Sequence, residues 1–254
     1  MFANERQKHI HSLIKQNGAV TTAELTAQFG VSIETIRKDL LAMERDNLLQ
    51  RVHGGAISNK EMPLFHSLSA RIEEHVDLKR MLSRAATGLI SENDIIGVDA
   101  GSTAVIFAEA LKASFSQLTV ITQSMDVLEI LNGYKGFKVI LCGGLYNAEE
   151  RAFYGPVTIN TMQNLHMQKA FIFPSAVSLK HGIADFQEEM FAVQKQFLES
   201  ADNIFILADS SKFEQTALMK LDDMRTSYTY VTDHELPGNL KKLYRENNIT
   251  IITE

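Results

Sequence analysis

The sequence predicts an α/β protein of two domains: a small helical domain closed by a short β-hairpin, then a larger domain built on a parallel sheet. Residues 1–57 contain three short helical patterns before the glycine pair Gly54-Gly55. From Asp94 onward, short apolar runs alternate with helical segments. A chain of 254 residues is also longer than one ordinary domain. We therefore expect a head at residues 1–57, a linker at 58–69 and a body at 70–254.

The composition excludes several classes of protein. Hydrophobic residues make up 45% and charged residues 22% of the chain, as in globular rather than disordered proteins. No apolar run approaches the roughly 20 residues that span a bilayer, and the polar N-terminal segment is not typical of a signal peptide. The single cysteine, Cys142, excludes an internal disulfide and a multi-cysteine metal site. We expect a cytoplasmic protein with no metal, no cofactor and no membrane partner.

Charge is distributed unevenly between the head and the body. Residues 1–60 hold eight Lys or Arg and six Asp or Glu, whereas the remainder holds 17 and 25. A slightly basic head is compatible with nucleic-acid contact by the head alone, although chance would also give a difference of this size. The acidic body would be repelled by a phosphate backbone and is expected to face away from it.

Capping and spacing signals define the first two helices of the head. Apolar residues at helical spacing predict a helix over residues 4–16, ended by an Asn-Gly pair. Thr21 and Glu24 have the spacing of a capping box and open a second helix. Gly30 ends that helix, and a tight turn follows.

A third helix and a hairpin complete the head. Ser32 caps a helix predicted over residues 33–46, and one face of this helix is expected to be buried. That face consists of Ile33, Ile36, Leu40 and Met43. Short strands at 48–52 and 56–57 flank the glycine pair as a wing. This order of elements matches a helix-turn-helix followed by a wing.

The opposite face of the third helix carries the candidate DNA contacts. A helix fits the major groove, and residues near its N-terminus reach base edges first. A wing closed by glycine can approach the phosphate backbone closely. The candidates are Thr22, Ser32, Glu34, Thr35, Arg37, Lys38, Arg51, His53 and Gly54. From the pattern alone, a helical module with solvated charges or a protein-docking module stays open as an alternative.

The segment VSIETIRKDL followed by RVHGGA resembles the signature of the DeoR family of bacterial transcriptional regulators, and residues 5–56 resemble the winged helix of that family throughout. The resemblance implies that Ser32, Thr35, Arg37 and Lys38 lie on a recognition helix and that residues 51–55 form the wing. Asn47 departs from the family, which often has glycine there. Asparagine also tolerates the left-handed conformation of a helix C-cap, so the change is expected to do little.

The body begins with an amphipathic helix predicted over residues 70–90, with Lys and Arg outside. The apolar runs IIGVD, LTVIT, FKVIL, KAFIF, NIFILAD, SYTYVTD and NITIIT then predict buried strands. Buried strands that alternate with helices predict a parallel sheet covered on both faces. In open α/β sheets, ligands bind beyond the carboxyl ends of the strands.

Four of these strand ends carry small, hydroxyl or charged residues that together predict one anion-binding pocket. Main-chain N–H groups at a helix start attract anions, and a lysine can pair with a phosphate. The candidates are Asp99, Gly101, Ser102, Thr103, Thr122, Ser124, Gly143, Gly144 and Lys212. Taken alone, the segment of Ser102 is better explained as a plain strand-to-helix turn with Ser102 as its N-cap, and Lys212 is equally explained as a solvated surface lysine.

The body also resembles the DeoR-family sensor domain, with DAGST, TQS, CGG and ADSSKF in the same order. The resemblance implies a fold similar to that of ribose-5-phosphate isomerase and a phosphorylated sugar as effector. It also maps Glu189 and Lys195 onto the effector site. Gln123 stands where the family usually has asparagine. Phe173-Pro174-Ser175-Ala176 replaces a turn that usually carries an acid and small residues.

Together these features predict a DNA-binding transcriptional regulator, a repressor of carbohydrate-metabolism genes controlled by a phosphorylated sugar. Two heads of a homodimer or homotetramer would contact two operator half-sites. The alternative is an isomerase-like enzyme with a DNA-binding head, for which Glu189 and Asp99 are possible bases. A dinucleotide enzyme is disfavoured, because the turn DAGSTA lacks the GxGxxG pattern.

Overall fold

The structure, a computed structural model, describes residues 3–45, 48–52, 54–58 and 67–253. Within these ranges the chain forms a helical head with a small sheet and a body built on a seven-stranded sheet. Asn47, His53 and residues 59–66 of the expected linker lie outside the described residues.

In the described part of the chain, the α-helices are α1 (Ala3–Asn17), α2 (Thr22–Phe29), α3 (Ile33–Arg45), α4 (Leu68–Glu73), α5 (Val76–Thr87), α6 (Ser102–Ser114), α7 (Met125–Leu131), α8 (Pro156–Gln163), α9 (Glu188–Ser200) and α10 (Gly238–Glu246). The strands there are β1 (Ala19–Thr21), β2 (Leu49–Val52), β3 (Gly55–Ser58), β4 (Ile95–Val98), β5 (Leu118–Thr122), β6 (Phe137–Leu141), β7 (Leu145–Asn147), β8 (Ala152–Tyr154), β9 (Met167–Ile172), β10 (Ala176–Ser178), β11 (Gly182–Asp185), β12 (Ala201–Leu207), β13 (Met219–Asp222), β14 (Thr229–Thr232) and β15 (Thr250–Thr253). A 3₁₀ turn covers Ser210–Lys212.

The capping signals of the head act as predicted. The Thr21 hydroxyl accepts a hydrogen bond from the Glu24 N–H at 3.1 Å, and the Glu24 carboxylate accepts one from the Thr21 N–H at 2.9 Å. These two bonds form the capping box of α2. The Ser32 hydroxyl accepts from the Thr35 N–H at 3.2 Å at the start of α3. Local side-chain bonds therefore fix where the two helices begin.

The head differs from the prediction in two details. Ile33 is 46% exposed, so its expected burial is wrong; the buried stripe of α3 begins one turn later, at Ile36. The wing has a third strand, because β1 pairs with β3 on the side away from β2. A strand of three residues is too short to produce a recognisable alternation in the sequence.

The body is organised around a parallel sheet with strand order β15-β14-β12-β9-β4-β5-β6. Each of the seven predicted apolar runs supplies one of these strands. Buried side chains of α5, α6 and α7 pack on one face of the sheet, and those of α8, α9 and α10 pack on the other. The predicted three-layer architecture is confirmed.

The strand order reverses direction at the centre of the sheet. The chain leaves β4 for β5 and β6 on one side and returns through β9 to the other side. A crevice therefore opens between the carboxyl ends of β4 and β9, where the connections diverge to opposite faces. This is the position at which an open α/β sheet places its ligand.

The single long helix expected over residues 70–90 is wrong. It is divided into α4 and α5 at Glu74 and His75, where His75 has a left-handed φ of 50°. Lys79 of α5 is only 3% exposed, although the lysines of this helix were expected outside. In its buried position Lys79 lines the cavity of the body. Among the described residues, no helix is both long and apolar enough to cross a bilayer.

Candidate functional site

A groove in the head lies between α3 and the wing. It is lined by six of the predicted DNA contacts, namely Thr22, Glu34, Arg37, Lys38, Arg51 and Gly54. Thr22 holds the wing turn against α2, because its main-chain N–H and its hydroxyl both donate to the Gly54 carbonyl, at 2.8 and 3.0 Å. The predicted contacts from the helix and from the wing thus share one surface.

The charged side chains of this groove differ in whether they form ion pairs. Arg37 lies 3.9 Å from Glu34 in an exposed ion pair, and Arg51 lies 4.0 Å from Glu44. Lys38 is exposed and has no ion pair within the described residues. Ser32 and Thr35 lie outside the groove lining, where their hydroxyls are 2.9 Å apart at the start of α3. Lys38 is therefore the cation best placed to meet a phosphate or a base edge.

A buried ion pair braces α3 from behind. Arg6 Nε donates to Asp39 Oδ2 at 2.5 Å, and both side chains are buried. Gln7 Nε2 lies 3.3 Å from the other carboxylate oxygen. The pair joins α1 to the inner face of α3 and so fixes the angle at which the groove side is presented. The sequence pattern did not single out either residue.

The body contains a cavity at the carboxyl ends of β4, β9 and β12. Its enclosed volume is about 90 Å³, smaller than the roughly 300–1,000 Å³ of typical ligand pockets, and the cavity is open to solvent. Five of the predicted effector residues line it: Asp99, Gly101, Ser102, Thr103 and Lys212. They come from the turn after β4 and from the 3₁₀ turn after β12.

The other predicted effector residues are not brought to this cavity. Thr122, Ser124, Gly143 and Gly144 follow β5 and β6, which lie on the far side of β4 from β9. The Thr122 hydroxyl accepts from the Ser124 N–H at 3.0 Å, and the Ser124 hydroxyl caps α7. The Gly143 carbonyl accepts from Thr158 at 3.1 Å. These polar groups are satisfied within the fold.

Two further predicted residues belong to α9 but to other faces of that helix. Gln187, Met190 and Gln194 line the cavity at helical spacing. Glu189 lies between them in sequence and is half-buried, whereas Lys195 is exposed with its ammonium 5.2 Å from the centre of the Phe191 ring. Neither Glu189 nor Lys195 lines the cavity.

Asp99 lies at the floor of the cavity and accepts three hydrogen bonds. Its Oδ1 accepts from the Ala100 N–H and from Gln123 Nε2, both at 2.7 Å, and its Oδ2 accepts from Gln194 Nε2 at 3.0 Å. Burial raises the pKa of Asp99 to about 6, opposed in part by these donors. Gln123, the departure from the family pattern, thus orients the acid from behind.

A second carboxylate adjoins Asp99. Gln194 Nε2 also donates to Asp185 Oδ2 at 2.9 Å, and the Ser175 hydroxyl donates to Asp185 Oδ1 at 2.8 Å. Ser175 belongs to the turn that lacks the expected acid. Asp185, at the end of β11, therefore supplies a carboxylate beside this turn, although the turn itself lacks the acid that the family usually has.

A second set of lining groups, at the start of α6 and on two lysines, is suited to an anion. In the described part of the chain, the N–H groups of Ser102, Thr103 and Ala104 at the start of α6 have no hydrogen-bond acceptor. Such groups at a helix start attract negative charge. Lys79 and Lys212 also line the cavity, and the charge of Lys212 contributes to lowering the pKa of Lys79.

Lys79 is held in place by the chain that leads from the head. Its ammonium donates to the main-chain carbonyls of Arg71 and Glu74, the latter at 2.8 Å. Burial is the main cause that lowers the pKa of Lys79 to about 8; Asp209 opposes this shift and Lys212 adds to it. A buried ammonium of this kind is a compact positive charge that responds to a ligand anion.

Arg71 forms the second attachment of α4 to the cavity wall. Its Nη2 lies 2.6 Å from each carboxylate oxygen of Glu150, and Gln187 Nε2 donates to Glu150 Oε1 at 3.0 Å. Burial raises the pKa of Glu150, whereas Arg71 lowers it. An ion pair between α4 and the loop before β8 thus forms part of the cavity lining.

The cavity residues that the sequence reasoning missed include Arg71, Lys79, Glu150, Asp185 and Gln194. Two of them had a recognisable signal. Lys79 lies in the apolar stripe of its helix with Val76, Leu82 and Ala86, and Gln194 interrupts the buried face of α9. A polar residue within an apolar stripe is worth testing as a ligand contact, because its burial must be compensated.

A winged helix that presents a basic groove, joined to an α/β domain with a polar cavity at the carboxyl ends of its strands, has the architecture of a ligand-sensing DNA-binding regulator. Comparisons with known proteins give the same class of protein. A model of the DeoR-like helix-turn-helix domain matches residues 6–62, and a model of the DeoR C terminal sensor domain matches residues 74–234. The chain belongs to the DeoR family of transcriptional regulators.

Individual relatives are similar over nearly their whole length. The chain is 33% identical to an L-fucose operon activator of Haemophilus influenzae, over 98% of this chain and 99% of the relative. It is 30% identical to the transcriptional repressor GlcR of Bacillus subtilis, over 92% and 89%. Ribose 5-phosphate isomerase A of Methanocaldococcus jannaschii overlaps 55% of each chain at 17% identity, with a TM-score of 0.40. A TM-score this low carries no functional argument.

Proposed function

We propose that this regulator represses genes of carbohydrate metabolism in the cytoplasm and that a phosphorylated sugar in the body cavity controls its affinity for the operator. The observation that carries the proposal is the polarity of the cavity. Its lining combines the N-terminus of α6, Lys79 and Lys212 with the carboxylates of Asp99 and Asp185. The name of one relative, an L-fucose operon activator, fits a carbohydrate effector.

The cationic groups of the cavity suit the phosphate of such a ligand, and its carboxylates suit the sugar hydroxyls. A phosphate accepts hydrogen bonds from the N–H groups of α6 and attracts the lysine ammoniums. Sugar hydroxyls donate to carboxylates, which accept hydrogen bonds and do not donate them when they are ionised. Asp99 and Asp185 are already oriented by amide and hydroxyl donors, so they can receive hydroxyls without reorganisation.

The attachments of α4 suggest how occupancy reaches the head. Residues 59–66 connect β3 of the head to the cap of α4 at Ser67. A phosphate that attracts Lys79 or Arg71 competes with the carbonyls and the carboxylate that these side chains now bind. We infer that the ligand loosens α4 and changes the arrangement of the heads. A coupling of about 1–3 kcal/mol is typical of such regulation.

Calorimetric titration with matched pairs of phosphorylated and free sugars tests the proposed site. We expect one phosphorylated sugar to bind and its unphosphorylated form to bind at least about tenfold more weakly, because the charged contacts are lost. The variant Ser102→Ala should retain binding, since the N–H groups of α6 remain. If no phosphorylated sugar of a broad panel binds, the assignment of the cavity is wrong.

One observation favours a second function, the isomerase-like enzyme. Asp99 is a buried carboxylate with a pKa raised to about 6, and a general base works best when its pKa lies near the operating pH. Both oxygens of Asp99 are engaged by donors, however, which favours a binding role. Conversion of an aldose phosphate to the ketose, followed by NMR and abolished in Asp99→Asn, would establish the enzyme instead.

A further inference from the structure

Two carboxylates of the body cavity are buried without a cation to balance them. Asp99 and Asp185 line the cavity and are 1% and 6% exposed. Within the described residues, the hydrogen bonds that they accept all come from neutral amide, hydroxyl and main-chain N–H groups. A buried charge is costly unless an opposite charge compensates it. Positive charge supplied by a ligand would therefore be favourable at this position.

A single amide group holds the two carboxylates side by side. Gln194 Nε2 donates to Asp99 Oδ2 at 3.0 Å and to Asp185 Oδ2 at 2.9 Å. Burial is the main cause of the raised pKa of Asp99, and the negative charge of Asp185 adds to it. The two acids therefore repel one another. A positive group that binds beside both of them gains from two attractions and relieves this repulsion.

The amide oxygens next to these acids also lack a partner. Gln123 and Gln194 are at most 2% exposed, and in the described part of the chain the Oε1 atom of each has no hydrogen-bond donor. The orientation of both amides is fixed, because the reverse orientation would place an oxygen against a carboxylate. Buried acceptors without a donor are rare in proteins and costly. Gln194 lines the cavity, so a ligand can supply a donor to it.

This part of the cavity therefore offers acceptors whose demand for donors and for positive charge is unmet. A sugar hydroxyl brings one donor hydrogen, no charge, and an oxygen that is itself an acceptor. A protonated primary amine brings three donor hydrogens, a positive charge and no acceptor. Hydrogen bonds between an ammonium and a carboxylate are also stronger than those between neutral groups. The amine matches the site better than a hydroxyl does.

We propose that the effector is an amino sugar phosphate whose ammonium group binds to Asp99 and Asp185 beside Gln194. The inference rests on the proposed function, since the phosphate of the same molecule would bind at the start of α6 with Lys79 and Lys212. Such a ligand carries both signs of charge, as the lining of the cavity does. A neutral sugar phosphate would compensate the cationic groups alone.

Calorimetry at pH 7 with three forms of one sugar phosphate tests the proposal. The probes are hexose 6-phosphates of the gluco, galacto and manno series, each with an amine, a hydroxyl or an acetamide at carbon 2. In one series the amino form should bind at least about tenfold more tightly than the other two, because a primary amine is largely protonated at this pH. The hydroxyl form, which has no amine to titrate, is the probe for the pH dependence of Lys79.

Removal of one carboxylate charge should abolish the preference for the amine. Asp185→Asn retains an acceptor oxygen, so the affinity for the hydroxyl form should change less than about threefold while the preference for the amino form is lost. Asp202→Asn makes the same change at an exposed acid of β12, outside the cavity, and should keep the preference. The readout is a ratio of affinities within one protein, which a loss of folded protein would not alter.

The outcomes separate this inference from the proposed function. If a hydroxyl or acetamide form binds as tightly as the amino form in every series, the inference is overturned and the proposed function stands. A preference for the amine that persists in Asp185→Asn would overturn it as well. If no form binds in any series, the inference is again overturned, and the proposed function fails with it unless another phosphorylated sugar binds.

Discussion

Lys79 Nζ donates a hydrogen bond of 2.8 Å to the main-chain carbonyl of Glu74, the residue at which α4 ends. The same ammonium lies in the cavity with Lys212 and Asp209. One buried side chain therefore contacts both the proposed ligand site and the segment that leads to the head. This relationship makes Lys79 the residue through which occupancy of the cavity can alter the position of α4.

Removal of the Lys79 charge should weaken binding of the phosphorylated sugar selectively. A hydrogen bond to a charged group is worth about 1.5–3 kcal/mol, so Lys79→Met should lower affinity by roughly 10- to 100-fold. Affinity for the free sugar should change little. Arg80→Met, on the exposed face of the same helix, serves as the control in calorimetry. Equal losses for phosphorylated and free sugar would show that Lys79 only supports the fold.

The same residue predicts how sugar-phosphate affinity depends on pH. Because the pKa of Lys79 in the free protein is about 8, the ammonium loses its proton as the pH rises through that value. Between pH 7 and pH 9, above the titration of Asp99 and of the ligand phosphate, affinity should fall by up to about tenfold. The Lys79→Met variant should not show this fall. An identical pH profile in both proteins would contradict the assignment.

Asp99 predicts a different dependence on pH, that of stability. Its pKa is raised from 3.8 to about 6 in the fold, so the folded state binds the proton more tightly than the unfolded state. The stabilisation is complete below the unfolded pKa and is lost as the pH rises through 6, by on the order of 3 kcal/mol. Urea unfolding at pH 5 and pH 7.5 should therefore show that Asp99→Asn gains stability relative to wild type as the pH rises. A constant difference would show that the pKa of Asp99 is not raised.

In the head, Lys38→Ala should weaken operator binding while sugar-phosphate binding by the body is unchanged. A contact to a base should cost about 1–3 kcal/mol and relax specificity at one position; a contact to phosphate should instead reduce the salt slope by about one. Lys8→Ala, an exposed lysine on α1, makes the same charge change away from the groove. Fluorescence anisotropy at several salt concentrations separates these cases. Unaltered binding in Lys38→Ala would remove the residue from the interface.

The Arg6–Asp39 pair should matter for the head alone. Breaking a buried ion pair from one side typically costs about 3–5 kcal/mol, since a charge is left in the interior. We expect Arg6→Met to lower the protection of α1 and α3 amides in hydrogen exchange, with the strands of the body unaffected. The double variant Arg6→Met/Asp39→Leu should recover part of the loss. Unchanged protection in Arg6→Met would mean that the pair does not brace the recognition helix.

The fold of the body could be predicted because each strand of the main sheet is a continuous apolar run. The order of the strands in the sheet could not be predicted from the sequence. The sequence therefore did not show which strand ends lie together at the cavity. Asp99 follows β4 at the switch point and Lys212 follows β12 beyond β9, whereas Thr122 and Gly143 lie at the ends of β5 and β6 on the other side of β4. Their sequences look alike, because every strand end in such a sheet favours small and polar residues.

The remaining cavity residues depend on tertiary contacts. Lys79 belongs to a helix whose other charged residues face solvent, and its burial follows from the break at His75, which brings the carbonyls of Arg71 and Glu74 to its ammonium. Asp185 lies on a strand of a small separate sheet with no long apolar run. Local periodicity places Lys79 in an apolar stripe but contains no information about the carbonyls that its ammonium meets, and it gives no signal for Asp185.

The central claim is that occupancy of the body cavity controls the head. Its most direct test is fluorescence anisotropy on labelled DNA from upstream of the gene for this chain, at fixed salt, with phosphorylated and free sugars added in turn. We predict specific binding that one phosphorylated sugar weakens by about 5- to 150-fold, that its free form does not alter, and that no longer responds in Lys79→Met. A phosphorylated sugar that binds the cavity by calorimetry yet leaves operator affinity unchanged would contradict the claim.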